Sequence, residues 1–277
     1  MYKVCKPIID LYRKNPELKE KNVQQIGNWI EEQRHLPKLT ESEIAIFLHA
    51  KYYDVPDTKS AIEKYYTFKT KHENIFAKRD PSDECFNEVI NSQLHIPLPH
   101  ATTEGYRAIL IKMLNPDPAN FNFLSTIRTC SMVFDWWLMA EGLPAGHVVV
   151  VDMNCLSAGH ILKLNISILR AFITYCQELV PARLKGIHFI NATFITEKVI
   201  SILKPFLKKE ISAIIKVHLK METVFEVIPK ENFPKELDGS WKTIKELQED
   251  MRELLLGNRE NFLEEDVVRR VYDSLKD

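Results

Sequence analysis

Four consecutive valines, residues 148–151, constrain the fold of this chain more than any other stretch. A β-branched run without a polar residue has no solvent face. It reads as a strand covered on both sides, the habit of parallel sheets packed between helices. The neighbouring patterns agree. Residues 107–114 read as a strand, and Asn115-Pro-Asp-Pro118 as a turn. Residues 123–141 read as an apolar helix with Ile127, Cys130, Phe134, Trp137 and Leu138 on one stripe, ended at residues 142–146. A helix is expected over about 161–179, a buried strand at 187–190 and a further strand at about 213–219. Strands alternating with helices predict parallel pairing through right-handed crossovers.

Between the last two strands lies a segment with apolar residues at Ile195, Val199, Ile202, Leu203 and Phe206, one face of a helix. Its other face carries Glu197, Lys198, Ser201, Lys204 and Lys208. Pro205 interrupts it and costs ~3 kcal/mol inside a helix. The helix is therefore expected to bend or end near Lys204-Pro205. A covering helix and a movable lid over a cavity both fit this stretch.

Before the sheet, Leu11, Leu18, Val23, Ile26, Trp29 and Ile30 recur at helical spacing. Thr40-Glu-Ser-Glu43 has the form of a capping box, and Asp54 with Pro56 marks another helix start. Residues 76–105 look irregular, with turn signals at Asp80-Pro-Ser-Asp83 and Ile96-Pro-Leu-Pro99. Near the end, a helix is expected over about 243–256, followed by a tail of mixed charge. The division is a helical unit at 1–75, a connecting segment at 76–100 and an α/β unit at 101–277.

Composition narrows the function. Hydrophobic residues make up 45% and charged residues 27%, ordinary for a soluble globular chain. The net charge of -1 gives no global field for nucleic acid. No apolar run approaches the ~18–20 residues of a membrane span, and the first seven residues lack the apolar core of a secretory signal. Five scattered cysteines without a CxxC pair suit a reducing, cytoplasmic setting. Catalysis finds no support. Cys155 stands where G-x-S-x-G would put its first glycine, so Ser157 lacks a nucleophile elbow. Asp152 ends the buried strand, where a carboxylate more often caps a loop or helix. His95 and His100 lie among prolines with no ligand-spaced cysteine or carboxylate, and no metal or cofactor is expected.

A set of short motifs is informative together. These are Ile46-Phe-Leu-His-Ala-Lys51, Gly146-His-Val-Val-Val-Val-Asp152, Ser157-Ala-Gly-His160, Pro181-Ala-Arg-Leu-Lys-Gly-Ile-His-Phe-Ile-Asn191, Lys204-Pro-Phe-Leu207 and Phe233-Pro-Lys-Glu-Leu-Asp-Gly239. In this order and spacing, nearly the whole chain resembles the CRAL-TRIO lipid-binding family, in particular its tocopherol-transfer and retinaldehyde-binding branch. The resemblance implies an α/β fold with a mostly parallel sheet flooring an apolar pocket, a helical lid over about 195–211, and a small all-α N-terminal domain. It implies a monomeric carrier of one small hydrophobic molecule (tocopherol, retinoid, carotenoid or a similar lipid), without a cofactor or covalent step. The alternative is a lipid-regulated adaptor that binds membrane or protein without net transfer.

Pattern and family position together suggest Ile127, Cys130, Phe134, Val150, Phe172, Tyr175, Ile187 and Phe189 as cavity walls. They suggest Ile195, Val199, Ile202 and Phe206 as the lid face, and Tyr175, Cys130, His188 and Thr193 as groups that orient a polar head. The branch's basic patch for anionic membrane, phosphoinositides included, corresponds to Lys51, Arg183 and Lys185. Its two further basic positions fall on Ser212 and Ile214, with Lys208, Lys209 and Lys216 close by. Burying a ligand of about twenty carbons would gain roughly 16 kcal/mol gross at ~0.8 kcal/mol per CH₂, so release would need a membrane.

Overall fold

The computed structural model describes residues 5–274. A five-stranded sheet in the order β1-β2-β3-β4-β5 organises it. The strands are β1 (Gln93–Pro97), β2 (Arg107–Met113), β3 (His147–Asp152), β4 (Leu184–Ile190) and β5 (Ile215–Val217). β2 to β5 run parallel and β1 is antiparallel to β2. Among the described residues no helix is long and apolar enough to cross a membrane.

Four helices come first: α1 (Ile8–Lys14), α2 (Glu20–Glu32), α3 (Glu41–Ala50) and α4 (Val55–Lys71). The expected starts hold. Glu43 N–H donates to Thr40 Oγ1 and Thr40 N–H to Glu43 Oε2, which satisfies two donors left free at the start of α3. Asp54 accepts from Asp57 N–H at 2.7 Å, with Pro56 in the first turn of α4. Leu11, Leu18, Val23, Ile26 and Ile30 are buried and Trp29 half-buried. These helices share one apolar cluster with Phe121, Phe123, Ile127 and residues of 169–179.

The segment 76–100 is more ordered than its prolines suggest. After α5 (Glu73–Phe76) it holds α6 (Glu84–Ser92) and the whole of β1. The run Gln93-Leu-His-Ile is too short for its alternation to stand out, and it becomes a strand because β2 supplies a partner edge. α7 (Phe123–Glu141) is the long helix expected, closed by Gly142 at φ 77°. The next helix is shorter than expected. It divides into α8 (Ala158–Leu162), α9 (Ile166–Thr174) and a π turn, Tyr175–Leu179. The segment expected as a lid folds as α10 (Phe194–Leu203), a 3-10 turn at Lys204–Phe206 and α11 (Lys209–Ala213). Pro205 sits in that 3-10 turn, where its missing N–H breaks no α-helical bond.

α12 (Met221–Phe225) leads to α13 (Ile244–Gly257) and α14 (Arg259–Ser274). The last of these occupies the stretch expected as a tail. Leu247, Met251 and Leu255 of α13 join Leu110, Val148 and Val150 in the core on one face of the sheet. A buried charge cluster ties the N-terminal helices to the rest. The Asp135 carboxylate of α7 accepts from Arg79 (2.7 Å), Lys69 (2.9 Å), Tyr175 Oη (2.7 Å) and Tyr65 Oη (3.2 Å). Glu265 of α14 also pairs with Lys69 and Arg79.

Candidate ligand-binding cavity

The other face of the sheet carries a cavity of about 320 Å³. Strand parity builds its floor. His147, Val149 and Val151 of β3 face it, beside Ile111 of β2, Leu184, Ile187 and Phe189 of β4, and Ile215 of β5. A register shift between His147 and Val148 sets Leu184 opposite His147 and Ile187 opposite Val149. Lys185 is thereby skipped, and residues of unlike parity on β4 share one face.

The walls are helix stripes. From α7 come Ile127, Cys130, Phe134, Trp137 and Leu138, the stripe visible in the sequence. α9 and its π turn give Leu169, Phe172, Ile173, Cys176 and Gln177, at i, i+3, i+4, i+7 and i+8. The lid contributes Val199, Leu203, Leu207 and Ile211. Burial holds the Cys130 and Cys176 thiols well above their ordinary pKa, so they stay neutral and behave as small apolar groups.

Of the twelve residues expected to border the cavity, seven do: Ile127, Cys130, Phe134, Phe172, Ile187, Phe189 and Val199. Val150 does not. It is buried in the core on the opposite face, because a one-residue step along a strand reverses the side chain. Tyr175 is fully buried away from the cavity, with its hydroxyl on Asp135. On the lid, Ile195 is buried outside the cavity lining, while Ile202 and Phe206 pack against the cluster shared by α9 and the N-terminal helices. The α-helical spacing stops at Leu203, and past the 3-10 turn Leu207 and Ile211 take the inward positions instead.

The polar groups also sort differently. His188 lies on the far face of the sheet with Nδ1 2.9 Å from His218 Nε2, and Thr193 caps α10. His147 does enter the cavity. Nothing in its local sequence marks it, since only the register of β3 decides which way it points. Burial lowers its pKa to about 3, with lesser lowering by His49 and by the Arg107 and Arg183 charges, opposed by the Arg183 backbone carbonyl beside the ring.

The basic residues are unequal in availability. Arg183 donates through Nε to the His49 carbonyl at 2.8 Å and stacks its guanidinium 4.2 Å over Tyr52, so it braces α3. Lys51 is half-buried, whereas Lys185, Lys208, Lys209 and Lys216 are exposed. Lys208 pairs with Glu178 at 3.1 Å. Asp152 is occupied structurally by Lys112 (2.5 Å), Asn191 (3.0 Å) and the Asn154 N–H (2.9 Å). Ser157 Oγ lies 2.9 Å from His160 Nδ1, and the Ser157 N–H donates to that nitrogen at 3.1 Å. Among the described residues His160 Nε2 is buried without a hydrogen-bond partner.

Comparison with known proteins agrees with this geometry. The description "CRAL/TRIO domain" matches residues 91–239, and "Pinta-like, UBA domain" matches residues 15–86. The chain is 24% identical over 258 residues to an "Alpha-tocopherol transfer protein-like" protein of Mus musculus, covering 91% of this chain and 74% of that one. It is 22% identical over 230 residues to Clavesin-1 of Xenopus laevis, covering 82% and 69%. The solved structure of Sfh5 superposes with a TM-score of 0.50 at 12% identity, covering 75% of this chain and 81% of that one, a likeness of fold. With more than half of its length matched to the domain that the cavity occupies, the chain belongs to the CRAL/TRIO family.

Proposed function

We propose that this protein carries one small hydrophobic molecule in the lidded cavity and exchanges it at anionic membrane surfaces. The observation that supports this most is the lining. Floor, walls and lid are apolar almost throughout, which suits a lipid body and offers a polar metabolite few partners. The volume of about 320 Å³ lies at the small end of the ~300–1,000 Å³ range of ligand pockets. That size favours a single-chain or compact ring-bearing lipid over a two-chain phospholipid.

The lid supplies the route. α10 and α11 are joined through the 3-10 turn at Lys204–Phe206, so α11 can swing about that turn without breaking an α-helical ladder. Lys208 and Lys209 at the start of α11, with Lys216 of β5 and Lys185 of β4, present exposed cations for anionic head groups. Each is worth ~1 kcal/mol near such a surface. Arg183 braces α3 through the His49 carbonyl, and Lys51 is half-buried, so neither faces fully outward.

Transfer of retinol and of α-tocopherol from donor to acceptor phosphatidylcholine vesicles tests the reading. Protein should accelerate the movement of at least one of them, and phosphatidylserine in the acceptor should increase the rate. Val199→Asp, a charge placed in the cavity wall, should reduce uptake at least tenfold. Absence of uptake of either lipid, or uptake indifferent to Val199→Asp, would count against the carrier reading.

A further inference from the structure

The cavity is apolar except at one end. His147, the first residue of β3, lines it and is 3% exposed, and among the described residues neither imidazole nitrogen makes a well-formed hydrogen bond, although the Arg183 backbone carbonyl lies beside the ring. Trp137 of α7 lines it as well, is also 3% exposed, and its indole N–H likewise has no acceptor. The two rings meet edge-on, with centroids 5.1 Å apart and planes at 83°. Buried polar atoms are nearly always paired, so three without a well-formed bond on adjoining side chains of one wall call for an explanation. The other polar side chain there is committed. Gln177 donates to the Phe206 carbonyl at 2.9 Å and accepts from the Lys208 N–H at 3.0 Å.

We propose that the His147–Trp137 end of the cavity is the recognition site for one neutral oxygen-bearing group, a hydroxyl or a carbonyl, on the carried lipid. The inference rests on the carrier reading of the same cavity. A neutral imidazole offers one donor and one acceptor, and the indole a second donor. A hydroxyl uses a donor and the acceptor together, and a carbonyl accepts from the donors. A carboxylate is disfavoured, because a buried anion needs a cationic partner. Of the two nearby guanidinium groups, Arg107 is paired with Glu141 at 2.8 Å, and Arg183 is turned to the His49 carbonyl and the Tyr52 ring.

The geometry also gives the ligand a direction. Val151 and Phe189 lie at the opposite end of the floor, four residues along β3 from His147 and so roughly 13 Å away. The polar head rests at the start of β3. The apolar body lies along β3 and β4 beneath Val199 and Leu203. Sequence around His147 shows a valine strand only, so this selectivity comes from the register that turns residue 147 inward.

A matched series of probes tests it: dodecane, dodecan-1-ol, dodecan-2-one and dodecanoic acid, delivered from phosphatidylcholine vesicles. Bound probe is measured at equal free concentration on the full chain. Wild type should hold the alcohol and the ketone about tenfold or more better than the alkane and the acid. His147→Phe should bring the alcohol-to-alkane ratio down to about one. His147→Gln keeps a donor and an acceptor and should restore part of the preference, and Trp137→Phe should weaken it. If wild type binds alcohol and alkane equally, or His147→Phe leaves their ratio unchanged, the inference falls and the carrier reading stands. If no probe is retained, both fall.

Discussion

His95 and His147 are each buried, and burial lowers their pKa from an ordinary 6.5 to about 4 and about 3. Moving the protein from pH 7 to pH 5 should therefore weaken it by an amount that can be worked out. A base whose folded pKa is depressed binds fewer protons folded than unfolded. Its stabilising contribution is whole above pH 6.5 and is lost as pH falls toward the folded value. At pH 5 the unfolded imidazole is protonated by about thirty to one while the folded one stays neutral. That ratio is worth about 2 kcal/mol for each group, or about 4 kcal/mol for the two. Because pH 5 is above both folded values, the result depends little on how far below they lie. His49 and His188, each lowered to about 4, act in the same direction. Against a typical total of ~5–15 kcal/mol, this is a large fraction. Asp80, held low by its hydrogen bond from Arg259, acts only below its unfolded value of 3.8 and does not contribute in this window.

The assay is urea unfolding followed by tryptophan fluorescence at pH 7, 6 and 5. The midpoint should fall steadily at constant slope, and His147→Phe should recover about 2 kcal/mol of the loss at pH 5. At pH 7 the same variant should also be more stable, since it removes two unpaired buried nitrogens. A change below about 1 kcal/mol between pH 7 and pH 5, or the same loss with and without His147, would refute the reasoning.

Two further outcomes follow from the packing. Asp135→Asn removes an anion that four buried donors share and leaves Lys69 and Arg79 with Glu265. Breaking a buried pair in this way costs about 3–5 kcal/mol, visible as a lower urea midpoint and earlier proteolysis between α4 and α7. Gly239→Ala would place a Cβ 1.9 Å from the Phe233 carbonyl oxygen, so the backbone must shift. A loss of about 1–3 kcal/mol in thermal or urea unfolding is expected, as for other overpacked sites.

Much of the cavity was legible in advance. The stripe Ile127, Cys130, Phe134, Trp137 and Leu138 follows helix geometry alone, and all five residues line the wall. The capping box at Thr40, the Asp54 cap and the break at Pro205 are also local, because each depends on residues within one turn. The order of motifs pointed to the family, and the match over residues 91–239 agrees.

What the sequence by itself determined were the elements whose residues signal to near neighbours: the four-valine strand, the long helix and the helical spacing of α9 and α10. Only the tertiary structure decided which side each strand residue faces. Four valines in a row carry no alternation, so the choice of Val149 and Val151 over Val150 waits on pairing with β2 and β4. The same register turned His147 into the cavity and His188 away from it. β1 likewise exists because β2 offers it an edge, and the inward positions of the lid past Leu203 depend on how the 3-10 turn redirects the chain. Spacing along a helix is a property of the segment, whereas the direction of a side chain on a doubly buried strand is a property of the sheet.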